Sequence, residues 1–230
     1  MLSQYLDAVS AQIQDHGGTI DKFIGDAVMA FWGAPALNPD HAVDCCRAAL
    51  ACQRTVRELA LVDDEGRAVE IRIGVNSGDM LVGNIGSEVR LNYTVIGDAV
   101  NVASRLEGTN KIYGCHIITG PETRRLAGDS ISVRELDRVA VYGRAGGLQI
   151  YELLGMAGEF ADSSGWVTSY EAGLAYYRAR DFDAAMEAFE KVVSLQTKDQ
   201  ASSMMIQRCR QALETPAEED WDGTTIALTK

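Results

Sequence analysis

The segment GGTIDKFIGDAVMAFWG, residues 17–33, decides how the N-terminal half of the chain folds. Residues 19–24 and 27–32 are two short apolar runs rich in β-forming side chains, and Gly25 and Asp26 separate them. A glycine beside an aspartate between two such runs is typical of a tight turn. We therefore predict a β-hairpin that carries Asp26 at its tip.

Hydrophobic periodicity around this segment predicts alternating helices and strands. Helices are expected at residues 2–16, 40–61, 98–106 and 122–126. Strands are expected at residues 69–76, 80–85, 91–95, 115–119, 132–142 and 148–154, with 80–85 as the hairpin partner of 69–76. Because several neighbouring strands are joined as hairpins, the expected class is α/β in the wider, α+β sense. The expected core is ferredoxin-like, βαββαβ, with a mixed or antiparallel sheet.

The sequence changes character after residue 155, which divides the chain into predicted units. Residues 1–155 form the main domain, and they are followed by a small-residue linker at 156–165, a helical hairpin at 166–214 and a tail at 215–230. The hairpin resembles one tetratricopeptide-type repeat, with a further helix near its end. One repeat cannot bury its own apolar face, so we expect it to pack on the main domain or on a partner. Trp221 is expected to anchor the end of the chain.

Composition restricts the classes of partner. The net charge of −12, from 33 acidic and 21 basic residues, argues against a nucleic-acid partner, which needs clustered lysine and arginine. The five cysteines form no CxxC pair, and this favours a reduced, cytoplasmic chain. No apolar run has the length of a bilayer crossing, so we expect no membrane contact by this segment.

Two places carry candidate chemistry. A carboxylate on a rigid turn, such as Asp26, can present an oxygen ligand to magnesium; the alternative is a turn without chemistry. Asn101 and Arg105 are four residues apart and share a helix face, where a guanidinium and an amide suit a phosphoryl group. The alternative there is a surface helix in which Arg105 pairs with Glu107 or is solvated.

Four segments in order strengthen the functional interpretation. Between residues 17–33 and NYTVIGDAVNVASRLE (92–107) lie IRIGVNSG (71–78) and VGNIG (82–86). Together they resemble the class III adenylate/guanylate cyclase catalytic domain over about residues 2–154. The resemblance implies attack of the ribose 3′-oxygen of a nucleoside triphosphate on the α-phosphate, with release of pyrophosphate. It also implies two divalent ions, Mg²⁺ or Mn²⁺, bridging two aspartates and the phosphates.

The resemblance assigns a role to each matching residue. Lys22 would contact the adenine ring, Thr94 would read the purine, and Asp26 would be the second metal-binding aspartate. Asn101 would orient the ribose, and Arg105 would stabilise charge in the transition state. Guanylate-specific members carry an acidic residue at the position of Lys22 and a cysteine at that of Thr94. The resemblance therefore implies ATP as the substrate and an adenylate cyclase of intracellular signalling.

A head-to-tail homodimer is also implied by the resemblance. The metal ligands come from one subunit, whereas the purine and transition-state residues come from the other. Lys22 and Asp26 would then serve opposite sites, and a monomer would be inactive. The helical tail resembles those of bacterial cyclases with a membrane-anchored sensor, which would place the parent protein at the cytoplasmic face of the inner membrane.

The chain departs from the family pattern at two places. The first metal-binding aspartate belongs to a strand before the first helix, and here Met1 already lies inside that helix. We therefore expect an N-terminally truncated form of a longer cyclase, lacking its first strand and impaired in activity. Near the other end, the family often has a Val-Lys-Gly stretch with a triphosphate-binding lysine, and this chain has residues 141–144, VYGR, in its place. The resemblance would give the role of that lysine to Arg144. The alternative function is a non-catalytic, cyclase-like module that binds a nucleotide or regulates a partner.

Overall fold

The structure is a computed structural model that describes residues 1–87, 89–140, 147–215 and 221–226. Its helices are α1 (Leu2–Asp15), α2 (His41–Leu59), α3 (Asp98–Tyr113), α4 (Pro121–Ala127), α5 (Trp166–Arg178), α6 (Phe182–Leu195) and α7 (Gln200–Glu214). Its strands are β1 (Thr19–Ile24), β2 (Ala27–Phe31), β3 (Ile73–Val75), β4 (Leu81–Ser87), β5 (Arg90–Ile96), β6 (Ile117–Thr119), β7 (Ile131–Ala140), β8 (Gly147–Met156) and β9 (Thr225–Ile226).

The described strands form one larger sheet and two hairpins. The larger sheet has the order β3-β6-β8-β7-β9, in which β3–β6 and β7–β9 are parallel and the other neighbours are antiparallel. The hairpins are β1–β2 and β4–β5. The predicted α+β class with a mixed sheet is confirmed, and so is the hairpin that residues 17–33 predict.

The predicted pairing of residues 80–85 with 69–76 is wrong. Strand β4 pairs instead with β5, in a register that runs from Leu81 opposite Ile96 to Ser87 opposite Arg90. Only 73–75 of the predicted strand 69–76 is regular, and it pairs in parallel with β6. Directly after β3 the chain is held against α3, because the Asn76 amide donates a hydrogen bond to the Ala99 carbonyl at 3.1 Å.

The remaining boundaries differ mostly in length. Helix α3 runs to Tyr113, seven residues beyond the predicted end at 106, and β6 is shorter than the predicted strand 115–119. The predicted strand 132–142 is β7 as far as Ala140, and its last two residues lie outside the described residues. The extension of α3 follows from packing, since its extra turns bury Asn110 and Tyr113, which hydrogen-bond to Ile73 and Asp137 of the sheet.

The helices at both ends of the chain pack on the strands. Residues of α1 and α2 form one apolar cluster that covers the β1–β2 hairpin; its buried members are Val9, Ile13, Cys52 and Val56. At the other end, Tyr170 and Phe189 of the C-terminal helices share a core with Leu136 and Ile150 of the large sheet. The C-terminal helices thus pack on the main body, as we expected. Each such buried side chain stabilises the fold by about 1.5–3 kcal/mol.

Trp221, near the C-terminus, packs against aromatic rings of α5 and α6. Its ring centroid lies 5.2 Å from that of Tyr177 and 6.3 Å from that of Phe182. The Arg180 guanidinium lies 5.7 Å from the same indole ring. The expectation that Trp221 anchors this end is therefore confirmed.

A buried arginine joins α5 and α7 to the large sheet. Arg134 on β7 makes ion pairs with Glu152 on β8 at 2.7 Å and with Asp199, which caps α7, at 2.8 Å. Its guanidinium also lies 4.6 Å from the ring centre of Trp166 and 4.5 Å from that of Tyr170. A buried charge needs such partners, because an unpaired one would cost several kcal/mol.

Candidate functional site

The tip of the β1–β2 hairpin presents Asp26 to solvent. Gly25 takes a φ of 66°, in the left-handed region that glycine enters without steric cost, and Asp26 follows it as an exposed residue. Burial and then the negative charge of Asp26 raise the pKa of Tyr5 on α1. Tyr5 also packs against the apolar cluster that α1 and α2 form over the β1–β2 hairpin.

A β-bulge in strand β1 changes where two neighbouring side chains point. Ile20 pairs with Ala30 and Lys22 pairs with Met29, so Asp21 is an extra residue on the β1 side. Successive side chains of a regular strand point to opposite faces, whereas a bulge redirects them. Here Asp21 and Lys22 both reach the same residue of β5, Thr94.

Lys22, Thr94 and Asp21 form one polar cluster between β1 and β5. The Lys22 ammonium donates to Thr94 Oγ1 at 3.3 Å and lies 3.2 Å from Asp21 Oδ1. The Thr94 hydroxyl donates to Asp21 Oδ2 at 2.5 Å. The Asp21 side chain is 1% exposed and Thr94 is 7% exposed, whereas the Lys22 side chain is 45% exposed. The cluster therefore has a buried anion beneath and a solvent-facing ammonium above.

Helix α3 holds Asn101 and Arg105 on its exposed side, one turn apart. Helix α3 packs closely on strand β3, because Gly74 has no side chain between the two backbones. A Cβ at residue 74 would overlap the Ala103 carbonyl oxygen and the Glu107 amide nitrogen. The buried Asn110 amide adds a hydrogen bond to the Ile73 carbonyl at 3.0 Å. Two polar residues thus project from a rigidly seated helix.

The structure brings some of the predicted site residues together. Lys22 and Thr94 are in direct contact, Asp26 lies four residues further on the same hairpin, and Asn101 and Arg105 share the helix that follows β5. Arg144 lies outside the described residues. The sequence interpretation missed Asp21; a carboxylate inside an otherwise apolar strand run was the signal that could have indicated it.

Of the two metal-binding aspartates that the resemblance implies, only Asp26 has a counterpart in this chain. Within the described ranges, no group of three or more His, Cys, Asp or Glu residues is placed to hold a metal ion. Asp26 suits the role of a single magnesium ligand, since magnesium is often held by one or two carboxylates together with substrate phosphates. The described residues do not complete a site for two ions. In the same part of the chain, no helix is long and apolar enough to span a bilayer.

Known proteins with a similar sequence include adenylate cyclases. The family profile of the adenylate and guanylate cyclase catalytic domain matches residues 1–155. Adenylate cyclase 1 of Rhizobium meliloti (strain 1021) is 39% identical over 158 residues, which cover 68% of this chain and 24% of that protein. The chain thus spans about a quarter of the length of that relative. The expectation of a truncated start stays a prediction.

Solved structures with the same fold include cyclases of both specificities. The adenylyl cyclase CyaB from P. aeruginosa is 33% identical with a TM-score of 0.59, over 70% of this chain and 83% of that chain. The guanylyl cyclase Cya2 is 31% identical with a TM-score of 0.62, over 69% of this chain and 81% of that chain. The family match covers most of the chain and includes Lys22, Asp26, Thr94, Asn101 and Arg105. The chain therefore belongs to the family of adenylate and guanylate cyclase catalytic domains.

Proposed function

We propose that this domain converts ATP into 3′,5′-cyclic AMP and pyrophosphate. The observation that carries the proposal is the contact of 3.3 Å between the Lys22 ammonium and the Thr94 hydroxyl. It sets a donor beside a hydroxyl on two strands that belong to separate hairpins. Adenine offers a ring nitrogen that accepts and an amino group that donates, and the pair can satisfy both.

Asn101 and Arg105 supply the polar groups for the sugar and the phosphates. The amide of Asn101 can hydrogen-bond to the ribose and hold its 3′-oxygen in line with the α-phosphorus. The Arg105 guanidinium stays charged and presents several donors, so it stabilises the negative charge that develops at that phosphorus. The 3′-oxygen forms a bond to the α-phosphorus while the bond to the pyrophosphate oxygen breaks.

Asp26 would contribute one carboxylate oxygen to Mg²⁺ or Mn²⁺. When such an ion is bound, it offsets negative charge on the triphosphate. The described residues supply no complete ligand set, so we assign no step of the reaction to the ion. The role of Asp26 remains that of a ligand at the edge of the nucleotide site.

We also propose that the working unit is a homodimer. Several large apolar side chains of the two hairpins are exposed to solvent; they are Phe23, Ile24, Leu81, Leu91, Tyr93 and Ile96. Exposed apolar side chains concentrated on two hairpins favour association with another surface. A symmetric dimer would place the Asp26 of one subunit at the site formed by Lys22 and Arg105 of the other. All five cysteines are free, which agrees with a cytoplasmic location.

The proposal is tested by measuring cyclic AMP and pyrophosphate formed by the purified chain from ATP and Mn²⁺. Arg105→Ala should lower kcat about 100- to 1,000-fold, as expected for the loss of a group that stabilises transition-state charge. Its matched control is Arg210→Ala, a surface arginine of α7 with a 62% exposed side chain. Equal turnover by both variants would contradict the proposal.

A second candidate function is a nucleotide-binding module without turnover. The observation that favours it is that no group of three or more His, Cys, Asp or Glu in the described residues is placed to hold a metal ion. Under this function the chain binds ATP through Lys22 and Thr94 but forms no cyclic AMP. Measuring ATP binding beside turnover distinguishes the two candidates, because only the first requires both.

A further inference from the structure

We propose that Asp21 is a positioning residue that sets the purine specificity of the site by acting through Thr94. Its carboxylate holds the hydrogen of the Thr94 hydroxyl, so that Thr94 presents only a hydrogen-bond acceptor to the purine. The inference rests on the proposed function, because it concerns the same nucleotide site. It adds a residue that contacts no substrate but determines which base the site accepts.

The β-bulge gives Asp21 its position. As the extra residue of β1, it turns its carboxylate towards β5 and not away from it. Asp21 Oδ2 accepts the Thr94 hydroxyl at 2.5 Å and the Val95 backbone N–H at 3.3 Å. With 1% of its side chain exposed, the carboxylate is shielded from competing water. Two donors from adjacent residues of β5 therefore fix its orientation.

The chemistry of the three groups determines where each hydrogen lies. An ionised carboxylate only accepts, an ammonium only donates, and a hydroxyl has one hydrogen. The Thr94 hydrogen must therefore point to Asp21 Oδ2, and the distance of 2.5 Å is typical of a hydrogen bond to a charged oxygen. Lys22 uses one lone pair of Thr94 Oγ1 at 3.3 Å. The other lone pair remains, so the free side of Thr94 is an acceptor.

This polarity distinguishes the two purines at the 6-position. Adenine carries an amino group there, which donates, whereas guanine carries an oxygen, which accepts. With Thr94 facing the 6-substituent, its free lone pair receives the adenine amino hydrogen but repels the guanine oxygen. A threonine without Asp21 could rotate its hydroxyl and donate to guanine. Asp21 thus turns a hydroxyl that suits either base into one that reads adenine.

Asp21 also acts on the lysine. Its Oδ1 lies 3.2 Å from the Lys22 ammonium, which keeps the charged end of a long, flexible side chain beside Thr94. The ammonium can donate to a ring nitrogen of adenine or to the 6-oxygen of guanine, so holding it in place beside Thr94 supports the binding of either purine. The two oxygens of Asp21 therefore have separable effects.

Because the two oxygens of Asp21 contact different residues, two substitutions of Asp21 can distinguish their effects. Asp21→Val removes the acceptor for Thr94 and should reduce the preference for ATP over GTP by about 10-fold or more, the value of one lost polar contact. Asp21→Asn keeps an oxygen for Thr94 and Val95 but loses the charge beside Lys22. It should weaken ATP and GTP by the same factor and leave the preference unchanged. Asp137→Asn, in a buried carboxylate of β7 that also accepts hydroxyl hydrogens, is the matched control for destabilisation.

The experiment measures binding of ATP and GTP to the full chain by calorimetry with Mn²⁺, and the ratio of cyclic AMP to cyclic GMP formed. Asp21→Leu also lacks an acceptor for Thr94 and serves if Asp21→Val does not fold; it should reduce the preference as well. If Asp21→Val or Asp21→Leu weakens both nucleotides equally, Asp21 has only a structural role and the inference is wrong. If the unaltered chain shows no preference for ATP, the proposed substrate is wrong and the inference falls with it. If the unaltered chain prefers ATP and Asp21→Val keeps the same preference and the same product ratio, the inference is wrong while the proposed function stands.

Discussion

Tyr113, the last residue of α3, donates its phenol hydrogen to the carboxylate of Asp137 on β7 at 2.6 Å. Arg208 of α7 approaches the same carboxylate at 2.6 Å, and the Thr225 hydroxyl donates to it at 2.9 Å. Burial and the Asp137 charge raise the pKa of Tyr113, so the phenol stays neutral. The helix that carries Asn101 and Arg105 is thereby connected to the C-terminal helices through one buried anion.

Arg208→Leu should destabilise the chain through this anion. The Asp137 side chain is 2% exposed, so removing Arg208 leaves a buried charge without its cation at a cost of about 3 kcal/mol. Urea unfolding followed by circular dichroism measures the change. Arg210→Leu on the same helix is the control, and equal midpoints for the two variants would contradict the expected role of Arg208.

Gly74→Ala should disturb α3 without touching the substrate. The new Cβ would overlap backbone atoms of Ala103 and Glu107, which lie on either side of Arg105 along the helix. We expect a loss of about 2 kcal/mol in the free energy of unfolding, as for overpacking, and a lower kcat. Gly83→Ala is the control, since a Cβ there meets nothing within 4 Å. If Gly74→Ala cyclises ATP as fast as Gly83→Ala, α3 tolerates the shift and our account of its seating is wrong.

Lys22→Ala should weaken ATP binding by about 10- to 100-fold, the value of a hydrogen bond from a charged donor. The effect should be seen mainly in KM, because Lys22 would contact the base and not the reacting phosphorus. Steady-state kinetics separates the two parameters. Lys198→Ala, in an exposed residue just before α7, provides the comparison. A loss confined to kcat would place Lys22 at the phosphates and contradict its assignment to the base.

Stability should fall in alkaline solution because of the buried thiols. Burial raises the pKa of Cys46 and of Cys52 to about 12, from an ordinary value of 9.0. A pKa that is higher in the folded chain means that folding holds the proton more tightly. This stability is complete below about pH 9 and is lost as the pH rises towards 12, since only the unfolded chain then releases the proton.

Thermal melting between about pH 8 and pH 10.5 measures this dependence. The melting temperature should decline above about pH 9, and the decline should be shallower in Cys46→Ala, whatever that variant's starting stability. A slope that is identical in the variant and the unaltered chain would show that other groups, such as the buried tyrosines, account for it.

The elements with strong local signals were predictable from the sequence. The β1–β2 hairpin follows from Gly25 and Asp26 between two apolar runs, and α3 follows from apolar spacing after Gly97. The same signals could not choose the partner of β4, because its alternating residues fit either neighbour. Contacts distant in sequence made that choice, among them Asn76 with Ala99.

The candidate site, like the fold, was predictable from the sequence only in part. The roles of Lys22, Asp26, Thr94, Asn101 and Arg105 came from motifs, and these assignments remain predictions. A carboxylate in a predicted strand could have drawn attention to Asp21, but its contact with Thr94 could not be predicted, because that contact depends on a β-bulge and on a residue 73 positions away. A bulge leaves no clear pattern in an apolar strand, so only the three-dimensional pairing identifies the extra residue.

The most direct test of a shared, ATP-cyclising site is to mix two inactive variants. In the proposed dimer Asp26→Ala damages one half of each site and Arg105→Ala the other, so each variant alone should form almost no cyclic AMP. A mixed dimer keeps one intact site of two, and an equal mixture should regain about a quarter of the activity of the unaltered chain. A mixture that stays inactive while the unaltered chain forms cyclic AMP would contradict a site shared between subunits.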